Sequence, residues 1–168
     1  MDTLFDVSHL TIGFEDNGEM HKVVDDISFS IAQGEILGVV GESGSGKSMT
    51  ALAAMGLLPP QARVLSGNVA FEGSSILNLD KNERSLLSGN KMSMIFQEPM
   101  TSLNPVMKIG AQVGESLKLH TKMGRDEIRQ NVIRALTDVG LSDPEGLLNK
   151  YPHELSGGMR QRVMIAQA

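Results

Sequence analysis

Apolar and polar residues alternate from Leu4 to Phe14 and again from Val23 to Ile31, where Ser28 and Ser30 separate Ile27, Phe29 and Ile31. A period of two puts one face of each segment in a core and the other in water, which predicts two half-buried strands. Glu15-Asp16-Asn17-Gly18 between them is a turn cluster, so the strands are expected to pair antiparallel. Beyond Gln33-Gly34, the run Ile36-Leu37-Gly38-Val39-Val40 is continuously apolar and predicts a strand covered on both faces, as in a parallel sheet. Met49 to Leu58 reads as a helix stopped by Pro59-Pro60. The stretch from Gly67 to Gly73 reads as a short strand, and Met92 to Phe96 as another, ended by Gln97-Glu98-Pro99.

From there the period becomes helical. Ile109, Val113 and Leu117 fall at i, i+4 and i+8; Ile128, Val132, Leu136 and Val139 do much the same, with Gly140 where a C′ glycine belongs. Asp143-Pro144-Glu145 predicts a helix with proline at its first position, expected to end at Tyr151-Pro152. The last segment, from Ser156-Gly157-Gly158 to Ala168, is helical in composition and carries no stop signal, so the chain reads as interrupted within a helix.

Composition narrows the class. The length, 168 residues, allows one domain. Fifteen basic residues against 20 acidic ones give a net charge of −5, which supplies no electrostatic footprint for nucleic acid. Apolar residues at 40% of the chain allow a buried core and argue against disorder. No apolar run approaches the roughly 20 residues that span a bilayer, and Met1-Asp2-Thr3-Leu4 does not open a secretory signal. The absence of cysteine removes disulfides, thiolate zinc sites and cysteine nucleophiles together. The expectation is a soluble, intracellular, globular chain.

Chemistry enters at Gly41-Glu42-Ser43-Gly44-Ser45-Gly46-Lys47-Ser48, a full match to G-x-x-x-x-G-K-[ST]. Its glycines let the backbone wrap so that successive N–H groups converge on one anion at the positive end of the following helix. Lys47 can set its ammonium against the β- and γ-phosphates of a nucleotide, and the Ser48 hydroxyl can ligate Mg²⁺. A chance match is the competing reading; the expected strand before the motif and the helix after it weigh against chance. Two further elements follow. Leu155-Ser156-Gly157-Gly158 precedes a helix and by itself reads as a serine N-cap with glycines easing a loop. Gln97, delivered by the expected strand Met92 to Phe96, is by itself an ordinary polar loop residue.

Together these segments resemble the nucleotide-binding subunit of an ATP-binding cassette (ABC) transporter, and in particular the branch importing di- and oligopeptides or nickel. The likeness is carried by residues 41–48, by Ile95-Phe96-Gln97-Glu98-Pro99-Met100-Thr101-Ser102-Leu103-Asn104-Pro105, and by Tyr151-Pro152-His153-Glu154-Leu155-Ser156-Gly157-Gly158-Met159-Arg160-Gln161-Arg162. The resemblance implies an α/β P-loop NTPase with an antiparallel N-terminal β part, a RecA-like core incomplete within these residues, and a helical subdomain at about 100–155. It implies a Walker A loop at Gly41, Glu42, Ser43, Gly44, Ser45, Gly46, Lys47 and Ser48, with Met49 also lining phosphate. Gln97 would be the Q-loop residue, near Mg²⁺ and the attacking water; Lys47 and Gln97 would be the catalytic residues, and Ser48 and Gln97 the magnesium ligands. Ser156, Gly157 and Gly158 would be the signature motif, contacting ATP held by a second, homologous or identical ATPase subunit. Phe14 would stack on adenine, or else be a strand-face core residue. Met159 departs from the common glutamine, as that branch does. The implied partners are the second ATPase and transmembrane permease subunits, with no nucleic acid, at the cytoplasmic face of the inner membrane. The cargo is chosen by the permease and a binding protein and is not readable here.

The family next requires an apolar strand ending in Asp-Glu and, later, a histidine on a further strand; neither occurs in these residues. Val23-Val24-Asp25-Asp26 imitates the carboxylate motif but precedes the phosphate loop and reads as strand and turn; His153 reads as a surface or packing residue. Without the missing strands, Ile36 to Val40 would keep open edges, so the 168-residue chain by itself is expected to fold poorly and to be inactive. A soluble ABC protein of DNA repair or translation, and a nucleotide-binding module without hydrolysis, are the alternatives from other classes.

Overall fold

The computed structural model describes residues 2–97 and 102–168. It falls into two compact units, Met1–Ser85 and Leu86–Ala168. In the first, β1 (Thr3–Asp16) and β2 (Glu19–Ala32) form the expected antiparallel pair around an Asn17-Gly18 turn. β3 (Ala62–Phe71) pairs antiparallel with the other edge of β1, and a two-residue β4 (Ser74–Ser75) extends the sheet to the order β2-β1-β3-β4. Thus β1 is central, and its Val7, Leu10 and Ile12 are buried together with Val24, Val69 and Phe71. The period of two is interrupted where the register shifts between Val7 and Leu10. There His9 and Asp26 both take positive φ, 50° and 49°, and their side chains meet at 2.7 Å. This bulge explains why Leu10, Thr11 and Ile12 are buried in succession, which strict alternation forbids.

α1 (Lys47–Met55) starts inside the glycine-rich motif, two residues earlier than the apolar pattern predicts. It also ends earlier. Gly56 terminates it in the left-handed conformation, with the Leu57 N–H donating to the Leu52 carbonyl, so Pro59-Pro60 is not the stop.

The expected strand Ile36–Val40 is not formed. These residues have no regular structure, and Ile36 and Val40 are 96% and 93% exposed. A strand meant to be covered on both faces exists only if neighbours take its N–H and C=O groups; among the described residues the one multi-stranded sheet is the antiparallel one above. Met92–Phe96 fails as a strand for the same reason. Only an isolated bridge between Ser88 and Met92 forms, and Ile95 and Phe96 are exposed.

α2 (Lys81–Leu87) is capped by Asp80, whose carboxylate accepts from the Asn82 and Glu83 N–H groups. The second unit then packs α3 (Ile109–Val113), α4 (Glu115–His120), α5 (Arg125–Asp138), α6 (Pro144–Leu147) and α7 (Gly157–Gln167). Its core joins Leu103, Ile109, Val113, Val132, Leu136, Leu147, Leu155 and Val163. The continuous helix suggested by Ile109, Val113 and Leu117 is broken at Gly114. A Cβ there would lie 3.1 Å from methyl groups of both Ile128 and Val132, so the small residue lets α5 approach. Gly140 ends α5 as expected, at φ 75°. Asp143 caps α6 by accepting from the Gly146 N–H. That helix stops at Leu147 rather than at Tyr151, because the Leu148 and Lys150 carbonyls turn to accept the Gly110 and Ile109 N–H groups at the start of α3.

The exposed apolar run has a measurable consequence. A polypeptide limited to residues 1–168 is expected to show no cooperative urea transition and to aggregate at micromolar concentration. A sharp two-state transition of the soluble monomer would contradict this.

Candidate functional site

The phosphate-loop motif folds as a turn leading into α1. Glu42 and Ser45 close it through a 3.2 Å Ser45 N–H to Glu42 carbonyl bond. Gly44 and Gly46 both take the left-handed conformation, with φ of 84° and 88°. Gly46 is required twice over. Its φ strains any L side chain, and a Cβ would lie 2.6 Å from the Val23 carbonyl and 2.8 Å from a Val24 methyl on β2. The loop therefore rests its last glycine directly on the sheet. Gly46 is the N-cap of α1 and offers no side chain to the helix, so the amides of the first turn have no side-chain acceptor from the cap.

Lys47 turns its ammonium back into the loop, donating to the Gly41 carbonyl at 2.8 Å, the Glu42 carbonyl at 2.7 Å and the Ser45 hydroxyl at 3.2 Å. One cation is thereby held where the loop curls. Ser48 is exposed in the first turn, and Met49 is half-buried behind it. Thr50, unremarked in the motif, is buried; its hydroxyl donates to the Gly46 carbonyl at 3.0 Å, beside the helical Thr50 N–H bond to the same atom. That doubled contact fixes the helix on its cap, and a threonine after G-K-S-x is the only signal the sequence carries for it. Phe14 is half-buried on β1, opposite His21 on β2 and Ala62 on β3.

The remaining predicted residues belong to the second unit. Gln97 is exposed outside regular structure, and the neighbouring Glu98 to Thr101 lie outside the described residues. Ser156 is the N-cap of α7, accepting a long 3.4 Å bond from the Met159 N–H. Gly157 and Gly158 are exposed, with open space where a side chain would project. The turn before Ser156 is built by residues the motif alone does not single out. Glu154 accepts from the Tyr151 N–H at 2.7 Å, Arg160 Nε donates to the Pro152 carbonyl at 2.8 Å, and the Tyr151 and His153 rings stack with centroids 5.7 Å apart. His153 is thus a packing residue at the surface, as expected. Asp25 and Asp26 lie on β2, paired with Lys22 and His9.

A left-handed glycine pair, an uncapped helix start and an inward lysine are the geometry that a phosphate-binding loop of the P-loop type calls for. The chain matches the ABC transporter family over residues 24–168 and belongs to it. It is similar to the dipeptide transport ATP-binding protein DppD of Escherichia coli K12, with 46% identity covering 98% of this chain and 50% of that protein. It is similar also to the oligopeptide transport ATP-binding proteins OppD of E. coli K12 (47%, covering 99% and 49%) and AppD of Bacillus subtilis 168 (46%, covering 100% and 52%). The chain spans about half the length of these curated relatives. Among solved structures, the dimeric bacterial ABC transporter cassette MJ0796 matches with a TM-score of 0.86 at 25% identity, covering 98% of this chain and 68% of that one. The cbiO1 protein of Clostridium perfringens, part of the transporter complex cbiONQ, matches with a TM-score of 0.73 at 27% identity, covering 99% and 61%. The fold is thus the α/β P-loop fold of ABC cassettes, as expected, although two of its anticipated strands are not formed.

Gly46→Ala in the full-length protein is expected to lower stability by about 2 kcal/mol or more, from the φ strain and the clash with Val23. Urea unfolding measures it; an unshifted midpoint would contradict the geometry.

Proposed function

We propose that the full-length subunit is an ATPase that drives an importer of di- or oligopeptides, or of a related small solute such as nickel. The observation that carries this reading is the loop at 41–48: left-handed Gly44 and Gly46 ahead of an α1 start with no side-chain cap, and a lysine ammonium at its centre. The names of the relatives, dipeptide and oligopeptide transport ATP-binding proteins, support the cargo class. MJ0796 has also been solved as a dimer bound to ADP and Pi, which supports hydrolysis across a pair of cassettes.

Phosphoryl transfer needs positioning and neutralisation of charge more than covalent chemistry. The backbone N–H groups of Gly44 to Ser48 would face the phosphate oxygens, with Met49 in the same turn, and Lys47 would exchange its loop carbonyls for the β- and γ-phosphates. The exposed Ser48 hydroxyl suits one ligand position of Mg²⁺, whose preference is for oxygen. Gln97 would contribute its side-chain oxygen to the metal and orient the attacking water. Phe14, with part of its ring exposed, would stack on adenine. Ser156, Gly157 and Gly158 of a second ATPase subunit, homologous or identical, would bring the start of α7 to the γ-phosphate. The partial positive charge of that helix end arrives only on closure, which ties hydrolysis to association.

The helical unit would meet permease subunits at the cytoplasmic face of the inner membrane. Supporting this are an open groove of about 950 Å³ lined by Lys108, Ala111, Lys118, Leu119, Arg125 and Ile128, and the exposed Val106 beside it. No helix among the described residues is long and apolar enough to cross a membrane itself.

In the assembled transporter, Lys47→Ala is expected to lower ATP hydrolysis by about a hundredfold or more, because it removes the cation held at the centre of the loop. Hydrolysis at the wild-type rate would overturn the assignment.

A further inference from the structure

Among the described residues, the second unit buries one polar side chain in its apolar interior. Gln112 is 3% exposed on α3, between the core residues Ile109 and Val113. A buried carboxamide without partners costs about 1–3 kcal/mol, and a leucine would fill such a position without that cost. Gln112 instead satisfies both ends of its amide, and every bond goes to one loop. Its Oε1 accepts from the Asn104 N–H at 2.9 Å, and its Nε2 donates to the Asn104 carbonyl at 3.0 Å and the Met107 carbonyl at 2.9 Å.

The loop is over-determined by these contacts. Asn104 also accepts from the Val106 N–H through its side chain at 3.1 Å, and its carbonyl accepts from the Met107 N–H at 3.2 Å. The result is a fixed turn whose tip, Pro105 and Val106, points into solvent; Val106 is 80% exposed. Holding an apolar side chain outward on a rigid turn does nothing for the core. It makes sense as a contact held ready for another molecule, because ordering the turn in advance removes that entropy cost from association.

We infer that Gln112 is a positioning residue: its buried amide sets the Asn104–Met107 turn in the form that engages the membrane partner, and so governs how much transport each hydrolysed ATP yields. The inference rests on the transport reading above. Gln112 touches neither the phosphate loop nor Ser156 through any of its hydrogen bonds, so it acts on coupling rather than on chemistry.

The test uses the full-length subunit, alone and assembled with its permease in proteoliposomes. Gln112→Met keeps the volume and removes the three bonds, whereas Val132→Ala loosens the same core without touching the turn. For Gln112→Met the expected result has three parts. Amide exchange at Asn104 is faster, basal ATP hydrolysis of the free subunit stays within about twofold of wild type, and uptake per ATP falls about fivefold or more. Val132→Ala should lower the thermal midpoint and leave uptake per ATP unchanged. Unchanged Asn104 exchange, unchanged uptake per ATP, or an equal drop in basal hydrolysis and uptake would each overturn the proposal. A wild-type assembly that hydrolyses ATP without any uptake would overturn the transport reading itself, and with it the proposal, and is told apart because it needs no variant.

Discussion

The close approach of Gly46 to β2 is the contact on which the site depends. Because the Val23 carbonyl and the Val24 side chain leave no room for a Cβ, the chain must enter α1 through a left-handed glycine. That entry leaves the helix start without a side-chain cap. The same approach ties the loop to a strand paired along its length with the buried β1, so the positive end of α1 is fixed by the sheet rather than by the loop's own contacts. Lys47 then finds its acceptors within the loop because the curl has already been imposed.

The helical unit solves a related problem by other means. Its helices are short, and α3 with five residues and α6 with four cannot persist alone. They are held by shared caps: carbonyls after α6 receive the first N–H groups of α3, Gln112 receives and donates to the turn before it, and Arg162 reaches back to the Gly140 carbonyl at the end of α5. Arg160 does the same for the turn that delivers Ser156. Side chains cap α6 and α7 through Asp143 and Ser156, backbone carbonyls receive the start of α3, and the apolar core fixes how the helices face each other.

What could be read from the residues follows from whether the deciding partner is local. The phosphate loop, the β1–β2 hairpin, the Gly140 stop, the Asp143-Pro144 start and the Ser156 cap depend on neighbours within a few residues or on an adjacent strand, and each is where its pattern puts it. Ile36–Val40 and Met92–Phe96 carry the apolar content of strands, yet a strand is completed by its neighbours, and content alone does not supply them. The end of α1 was obscured because Pro59-Pro60 is the louder signal, although Gly56 comes first. The break at Gly114 answers to Ile128 and Val132, fourteen and eighteen residues further along the chain, and so is invisible to helical periodicity. Gln112 left one faint trace: a glutamine three residues after Ile109, on the face that periodicity assigns to the core.

If the curled loop and the open start of α1 are the binding element, affinity must reside in the phosphates and not in the base. Calorimetric titration of the full-length protein with ATP and with adenosine tests this most directly. The account predicts ATP to bind tighter by about a hundredfold or more, the equivalent of at least two charge-assisted contacts. Equal affinity for the two ligands would contradict it.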